Sequence, residues 1–287
     1  MQLRNIGVII LKELQLEEIK KSELNILLEF AKFCDENNLR YFIAYGTLIG
    51  TIRHKGFIPW DDDIDIWMPR ADYDIFLKTF NLKTENKNLV AISPVDELSI
   101  NTISKVIDTN TVKIEENVKY KDNKYLGVDI DIFPLDGQPD DYSLFCKYYN
   151  KKMKIFKKHK CLITDFSYMN YCKKIAAELY TLFIKYILRY NKSKIDKLID
   201  NINSRYSYES SKYIGSVSSL FNRLQDRFEK EWFEDFLFAE FEGYKFKIPL
   251  GYDKILTALY GDYMKLPPEN ERVTHHQNLM YSKSLDK

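Results

Sequence analysis

The chain has 287 residues, enough for one large domain or two smaller ones around a substantial core. Its 43 basic against 42 acidic residues exclude a globally basic nucleic-acid binder, and 15% aromatics with only Gly 10 and Pro 8 exclude a linker-rich chain. The four cysteines, Cys34, Cys146, Cys161 and Cys172, form no CxxC pair and have no histidine at zinc-like spacing, so reduced thiols and a cytoplasmic setting are expected.

The first apolar run, Ile6 to Leu11, stops at Lys12 without a small-residue cleavage site, and does not read as a signal peptide. The longest uncharged stretch, Tyr41 to Ile52, falls well short of the ~20 residues of a membrane span, so no transmembrane helix is expected. Over residues 13–38, Leu16, Ile19, Leu24, Leu27, Leu28 and Ala31 recur at helical spacing between charges, which predicts an amphipathic helix ending near Asn37-Asn38. A strand over Tyr41–Ala44 follows, then a turn opened by Gly46-Thr47 and a helix carrying Leu48, Ile49 and Ile52. A helix N-terminus presents free N–H groups, so Gly46 and Thr47 are candidates to receive a phosphate, with Thr47 as a plain N-cap the alternative.

Arg53, His54 and Lys55 come next, just before Gly56 and a run of acids. Cations beside an acidic site suit a polyphosphate neutralised from both sides; the alternative is a solvated basic loop that balances the aspartates. The acids read Asp61-Asp62-Asp63-Ile64-Asp65-Ile66-Trp67. Read as a strand, this puts Asp63 and Asp65 on one face, roughly 7 Å apart at about 3.3 Å per residue, with Ile64 and Ile66 on the other. Such carboxylates repel, and the arrangement makes sense when a hard cation such as Mg²⁺ fills the gap. An EF-hand loop counted from Asp61 fails, because Ile66 and Asp72 stand where Gly and Glu are needed.

Residues 71–80 read as a helix with Tyr73, Phe76 and Leu77 inward, and 81–126 as loop-rich with short strands. Within the latter, Ile100–Asp108 alternates as a strand with Lys105 on a solvent or site face. Val128 to Pro134 repeats the acidic design, with Asp129 and Asp131 on one face and Pro134 expected to end the strand or place it at an edge. A second acidic strand offers the third carboxylate that a two-metal site needs.

From Asp141 the character changes: residues 141–200 hold 14 Lys/Arg against 5 Asp/Glu, a local charge of +9 in a chain of net +1. Apolar residues at 175, 179, 182, 183, 186 and 187 give a helical stripe. The basic helices read either as ordinary solvated faces or as a surface for anionic lipid headgroups; no nucleic-acid signature accompanies them. In the C-terminal stretch, Gly261 and Pro267-Pro268 separate a helix, a turn and an extended tail in which Arg272, His275 and His276 cluster as candidates for a site.

The run GTLIGTIRHKGFIPWDDDIDIWMPRADYDIF resembles the signature of the LicD family of phosphotransferases, which also takes in fukutin-like proteins. VDIDIFPLDG and YGDYMKLPPENERVTHH look like the family's second and third landmarks, so the resemblance spans about residues 23–276 and is weak over 141–250. It implies an α+β fold: a nucleotidyltransferase-like mixed sheet with flanking helices over 1–140, a basic helical region facing acceptor or membrane over 141–250, and a segment over 251–287 returning to the active site. It implies Asp63 and Asp65 as metal ligands with Asp131 or Asp129 as the third, Asp131 favoured because it directly precedes the Ile-Phe-Pro-Leu-Asp run.

The implied reaction moves phosphocholine, or phosphoribitol, from a CDP-linked donor such as CDP-choline to a sugar hydroxyl, with Mg²⁺ or Mn²⁺ on the diphosphate. Arg53 and Lys105 neutralise charge, Gly46, Thr47, His54, Lys55, Arg272 and His275 line the donor site, and Asp129 or Asp131 takes the hydroxyl proton. The acceptor is a lipid-linked or lipid-anchored surface glycan, reached from the inner face of the membrane, and no nucleic acid is involved. Two other readings stand beside it: a nucleotidyltransferase moving NMP from an NTP, and an inactive binding protein keeping the fold. Intact acids on both strands argue against the last.

Overall fold

The computed structural model describes residues 9–96, 103–114, 126–216, 224–273 and 279–285. Strand β1 (Ile9–Glu13) leads into α1 (Leu16–Glu36), whose start is fixed by the Gln15 N–H donating to the Glu18 carboxylate at 3.0 Å. The helix buries Ile19, Ile26, Leu27 and Phe30, and Asn38 leaves it with a positive φ of 55°. A short strand β2 (Phe42–Ile43) passes into α2 (Tyr45–His54), then β3 (Asp65–Pro69) into α3 (Arg70–Lys83). Strands β4 (Leu89–Ile92), β5 (Ser104–Asp108), β6 (Thr111–Ile114) and β7 (Asp129–Gln138) follow.

The main sheet runs β2-β3-β7-β5-β4. The β3–β7 pair is parallel, while the β2–β3, β7–β5 and β5–β4 pairs are antiparallel. With helices against this mixed sheet, the protein is α+β. Aromatic edges lock α1 and α3 together, with Phe30 and Phe76 ring centroids 5.0 Å apart and Phe33 and Phe80 also 5.0 Å apart.

The acidic strand starts later than its alternation suggests: β3 begins at Asp65, and Asp63 lies in the extended segment before it. Helix α2 starts earlier than expected, capped at Ala44, which puts Gly46 and Thr47 inside its first turn and not in a turn ahead of it. Nor does Pro134 end its strand, because β7 continues to Gln138 in the interior of the sheet. Asp131 N–H points to β3, donating to Ile64 O at 2.8 Å, so even-numbered positions of β7 point the other way. On that side β5 ends opposite Ile132 and the next partner strand begins opposite Asp136, so proline's missing N–H falls in a gap.

Three helical segments follow: α4 (Tyr142–Ile163), α5 (Tyr171–Leu182) running into a π-helical turn over Phe183–Ile187, and α6 (Lys192–Asn203). The helical region expected over 141–250 stops at Asn203. Beyond it lie β8 (Tyr213–Gly215), β9 (Phe228–Glu229), β10 (Phe236–Phe241) and β11 (Tyr244–Pro249). β8 pairs with β7 and β9, and β10 with β11 as a hairpin. Its turn residues Glu242 and Gly243 both have positive φ, 51° and 80°, the backbone a two-residue hairpin turn needs to match strand twist. Phe228, Phe233, Phe241, Phe246 and Ile248 join the same core as α1 and β3, with Trp67 against Phe228 and Phe233.

Helix α7 (Tyr252–Tyr260) ends at Gly261, whose φ is +68°. The last strand, β12 (Leu279–Leu285), lies between β1 and β6 in a separate antiparallel sheet. The helical segment is clamped to the main sheet by Arg70, which donates to both oxygens of Asp136 (2.6 and 2.7 Å) and to Asp200 of α6 (3.1 Å).

Candidate functional site

The acids converge because strand register puts them side by side. Asp65 is the direct partner of Asp131 across the parallel β3–β7 pair, and Asp131 is the direct partner of Lys105 across the antiparallel β7–β5 pair. The row Asp65–Asp131–Lys105 thus crosses three strands. Asp129 lies two residues back on the same face of β7.

Lys105 Nζ donates to Asp129 Oδ1 at 2.5 Å and also to Asp131 Oδ1. Burial alone would lower the ammonium, but Asp129 and Asp131 outweigh it and hold Lys105 charged, well above the ordinary lysine range. Asp129 accepts a second ammonium, Lys113 of β6, at 3.2 Å. Burial pushes its carboxyl up, yet Lys105 and Lys113 win and leave it below the usual range. Asp65 shows the opposite balance: burial first, then the carboxylates of Asp63, Asp131 and Asp61, drive it well above the ordinary value. Two acids on one face of the sheet are therefore held in opposite protonation tendencies.

Helix α2 docks onto the start of β3 through Thr47, whose hydroxyl accepts from Asp65 N–H at 2.9 Å and is buried. Beside it Gly46 lets the Asp61 carboxylate come close: a Cβ there would lie 2.8 Å from Asp61 Oδ2 and would push that side chain aside. Asp61 thus already answers the positive end of α2.

Arg53 reaches the C-terminal segment. Its Nη1 donates to Tyr263 O at 2.7 Å and to Lys265 O at 3.4 Å, while Nε donates to His54 Nε2 at 2.9 Å. Burial and the Arg53 charge lower the His54 pKa. His54 also meets the Trp60 ring edge-on at 6.5 Å, and Arg272 covers that ring at 5.8 Å while donating to Pro267 O. Trp60 directly precedes Asp61, so Arg53, His54 and Arg272 brace the approach to the acids. Lys55 caps α2 in the left-handed region and is exposed. His275 and His276 lie outside the described residues.

Glu23 of α1 was not singled out from the sequence. It is 2% exposed, and its Oε2 has no hydrogen-bond partner among the described residues. Burial, then Asp63 and Asp129, push its carboxyl well above the ordinary range. The available signal was a Glu on the inward stripe Ile19, Ile26, Leu27, where a charge is out of place. Lys20, one turn earlier, donates to Pro59 O at 3.2 Å and steadies the loop that enters the acids.

The oxygen donors Asp63, Asp65 and Asp131 suit a hard divalent cation, as does the orphaned Glu23 oxygen. Among the described residues, no three acidic, histidine or cysteine side chains are already drawn around one metal-sized point. Lys105 adds positive charge beside Asp129 and Asp131.

Mutually repelling acids kept at the heart of a mixed α+β sheet cost stability, which marks this row as the candidate functional site. The family model described as LicD/FKTN/FKRP, nucleotidyltransferase domain, matches residues 38–174. The lipopolysaccharide cholinephosphotransferase LicD of Haemophilus influenzae is 34% identical over 273 residues, 93% of this chain and 97% of that protein. An uncharacterised protein of Rickettsia prowazekii is 51% identical over 37 residues, 13% of this chain and 14% of that protein. The chain belongs to the LicD family.

Proposed function

We propose that the enzyme transfers phosphocholine, or a related phospho-alcohol such as phosphoribitol, from a CDP-linked donor to a sugar hydroxyl of a surface glycan. CDP-choline and lipopolysaccharide are the first donor and acceptor to test, and teichoic acid or capsule the next acceptors. The observation that carries the reading is that the matched stretch 38–174 holds the whole row Asp65–Asp131–Lys105. The relationship over nearly the full length of the Haemophilus protein supports the cargo.

Mg²⁺, or Mn²⁺, is assigned to Asp63, Asp65 and Asp131, where it would neutralise the donor diphosphate. Asp129 has both oxygens tied to lysines, so it positions Lys105 and is a poor base. Asp131 is the more accessible of the two, 20% exposed against 8%, and its second oxygen would either hold the cation or receive the proton of the attacking hydroxyl. That hydroxyl bonds to the phosphorus distal to cytidine, the bond to the bridging oxygen breaks, and CMP leaves with the electron pair. Lys105 would stabilise charge on the transferred group. Thr47 positions Asp65, and Arg53 with Arg272 positions the 263–272 segment beside the donor. Gly46, His54, Lys55 and His275 complete the proposed donor site.

The test is CMP release with Mg²⁺ from CDP-choline, CDP-ribitol and CDP-glycerol, with and without a glycan acceptor, beside Asp63→Asn. Release from one donor that disappears in Asp63→Asn supports the reading and names the cargo. Pyrophosphate released from an NTP, with silence on all three donors, overturns it in favour of nucleotidyl transfer.

A further inference from the structure

Helix α5 and its π-helical turn are turned the wrong way for a core helix. Thr181 and Ile184 are buried, and the Thr181 hydroxyl donates to Cys161 O at 3.2 Å, which seats this narrow stripe on the end of α4. The apolar positions Ile175, Leu179, Leu182, Phe183, Tyr186 and Ile187 face outward, with Leu179 61%, Tyr186 64% and Ile187 68% exposed. Soluble surfaces seldom leave so continuous an apolar face uncovered.

The charges around it choose its occupant. Residues 171–189 carry Lys173, Lys174, Lys185 and Arg189 against a single acid, Glu178, which lies 3.9 Å from Lys174. On a helical projection these side chains flank the apolar arc and leave its centre free of charge. The neighbouring α4 adds exposed Lys147, Lys151, Lys154, Lys157 and Lys160. A second copy of this face would bring cations against cations; an anionic lipid surface would answer them. Residues Tyr171–Ile187 extend only about 25 Å at ~1.5 Å per residue, and no helix among the described residues is long and apolar enough to cross a membrane. This helix suits lying in an interface.

We propose that residues 171–188 form an interfacial anchor, with the apolar face inserted among the acyl chains of an anionic bilayer and the flanking lysines at the headgroups. The inference goes beyond the transfer reaction and does not depend on which donor it uses.

The experiment is co-sedimentation of the full chain with phosphatidylglycerol/phosphatidylethanolamine vesicles and with phosphatidylcholine vesicles, at low and high salt. Wild type is expected to bind the anionic vesicles at least tenfold more tightly than the neutral ones. Leu179→Glu with Phe183→Glu should lower that binding at least tenfold at either salt, and Lys173→Glu with Lys185→Glu chiefly at low salt. Leu179→Ser with Phe183→Ser is the gentler pair, and circular dichroism with the thermal midpoint verifies folding. CMP release to a water-soluble acceptor should be unchanged in these variants, which separates loss of anchoring from failure of the transfer reading. Wild type that ignores anionic vesicles, or a Leu179/Phe183 pair that binds them as wild type does, overturns the proposal. Light scattering that shows a dimer abolished by the same pair, without vesicle binding, would assign the face to a second copy of the chain.

Discussion

Asp65 and Asp131 stand directly opposite each other on neighbouring parallel strands, and only one of them has a lysine for its next neighbour in the row. Parallel pairing carries both strands in the same direction, so two Asp-Ile-Asp-Ile-like runs align acid beside acid. Asp65 receives the repulsion, and Asp131 shares Lys105 with Asp129.

Asp65→Asn should abolish CMP release, by on the order of 10²–10³-fold or more, while leaving the thermal midpoint equal to or higher than wild type. Removing a buried charge that burial and three carboxylates oppose relieves strain in the folded state. A large fall in the midpoint would show that Asp65 holds the sheet together instead.

Lys105→Ala should destabilise the fold by about 2–3 kcal/mol, because it leaves buried Asp129 with Lys113 as its remaining cation beside Asp131. Adding Asp129→Asn should recover part of that loss without restoring transfer. Urea unfolding of the single and double variants measures the coupling.

Thr47→Val keeps the shape but removes the acceptor for Asp65 N–H, and should cost about 1–3 kcal/mol. Transfer should fall in kcat, since the start of β3 loses its fixed position, and Thr47→Ser should restore it. Equal behaviour of the Val and Ser variants would remove the hydroxyl from the account.

Arg53→Ala frees the carbonyls of Tyr263 and Lys265. Because Arg53 is half-buried, the expected stability loss is only about 1 kcal/mol. The diagnostic is limited proteolysis: cleavage beyond Gly261 should accelerate in the variant. Unchanged cleavage, with a raised KM for the donor, would make Arg53 a direct phosphate contact.

Lys152 is wholly buried, its Nζ has no hydrogen-bond partner among the described residues, and burial drives its pKa well below the ordinary 10.5. The folded state favours the neutral amine and the unfolded chain the ammonium. Between the lowered folded value and 10.5 the unfolded state therefore binds the extra proton, and stability rises with pH by up to about 1.4 kcal/mol per unit. Lys152→Met should be more stable than wild type at pH 7, with an advantage that narrows toward pH 9. Parallel stability-against-pH curves would refute this.

The acidic strands were legible because period-two alternation of aspartate and isoleucine has few other uses. Which of Asp129 and Asp131 faces Asp65 was not, since strand register is set by partners far away in the chain. Glu23 was hidden by its sequence neighbours: in a helix rich in Lys and Glu, one inward acid looks like the rest. The β10–β11 hairpin was missed because its Glu-Gly turn lacks the usual Asn-Gly or Asp-Gly sign. Pro134 misled for a different reason: whether its missing N–H matters depends on where β5 stops. The stripe on α5 was visible as periodicity, but periodicity does not say whether an apolar face looks in or out.

Arg70 has one further consequence. Its guanidinium grips Asp136, five residues along the same strand from Asp131, and with its remaining arm grips α6. If the helical region rests on a bilayer as proposed, this grip would set how far the row Asp65–Asp131–Lys105 stands from the membrane, and with it the length of acceptor stem the enzyme can serve.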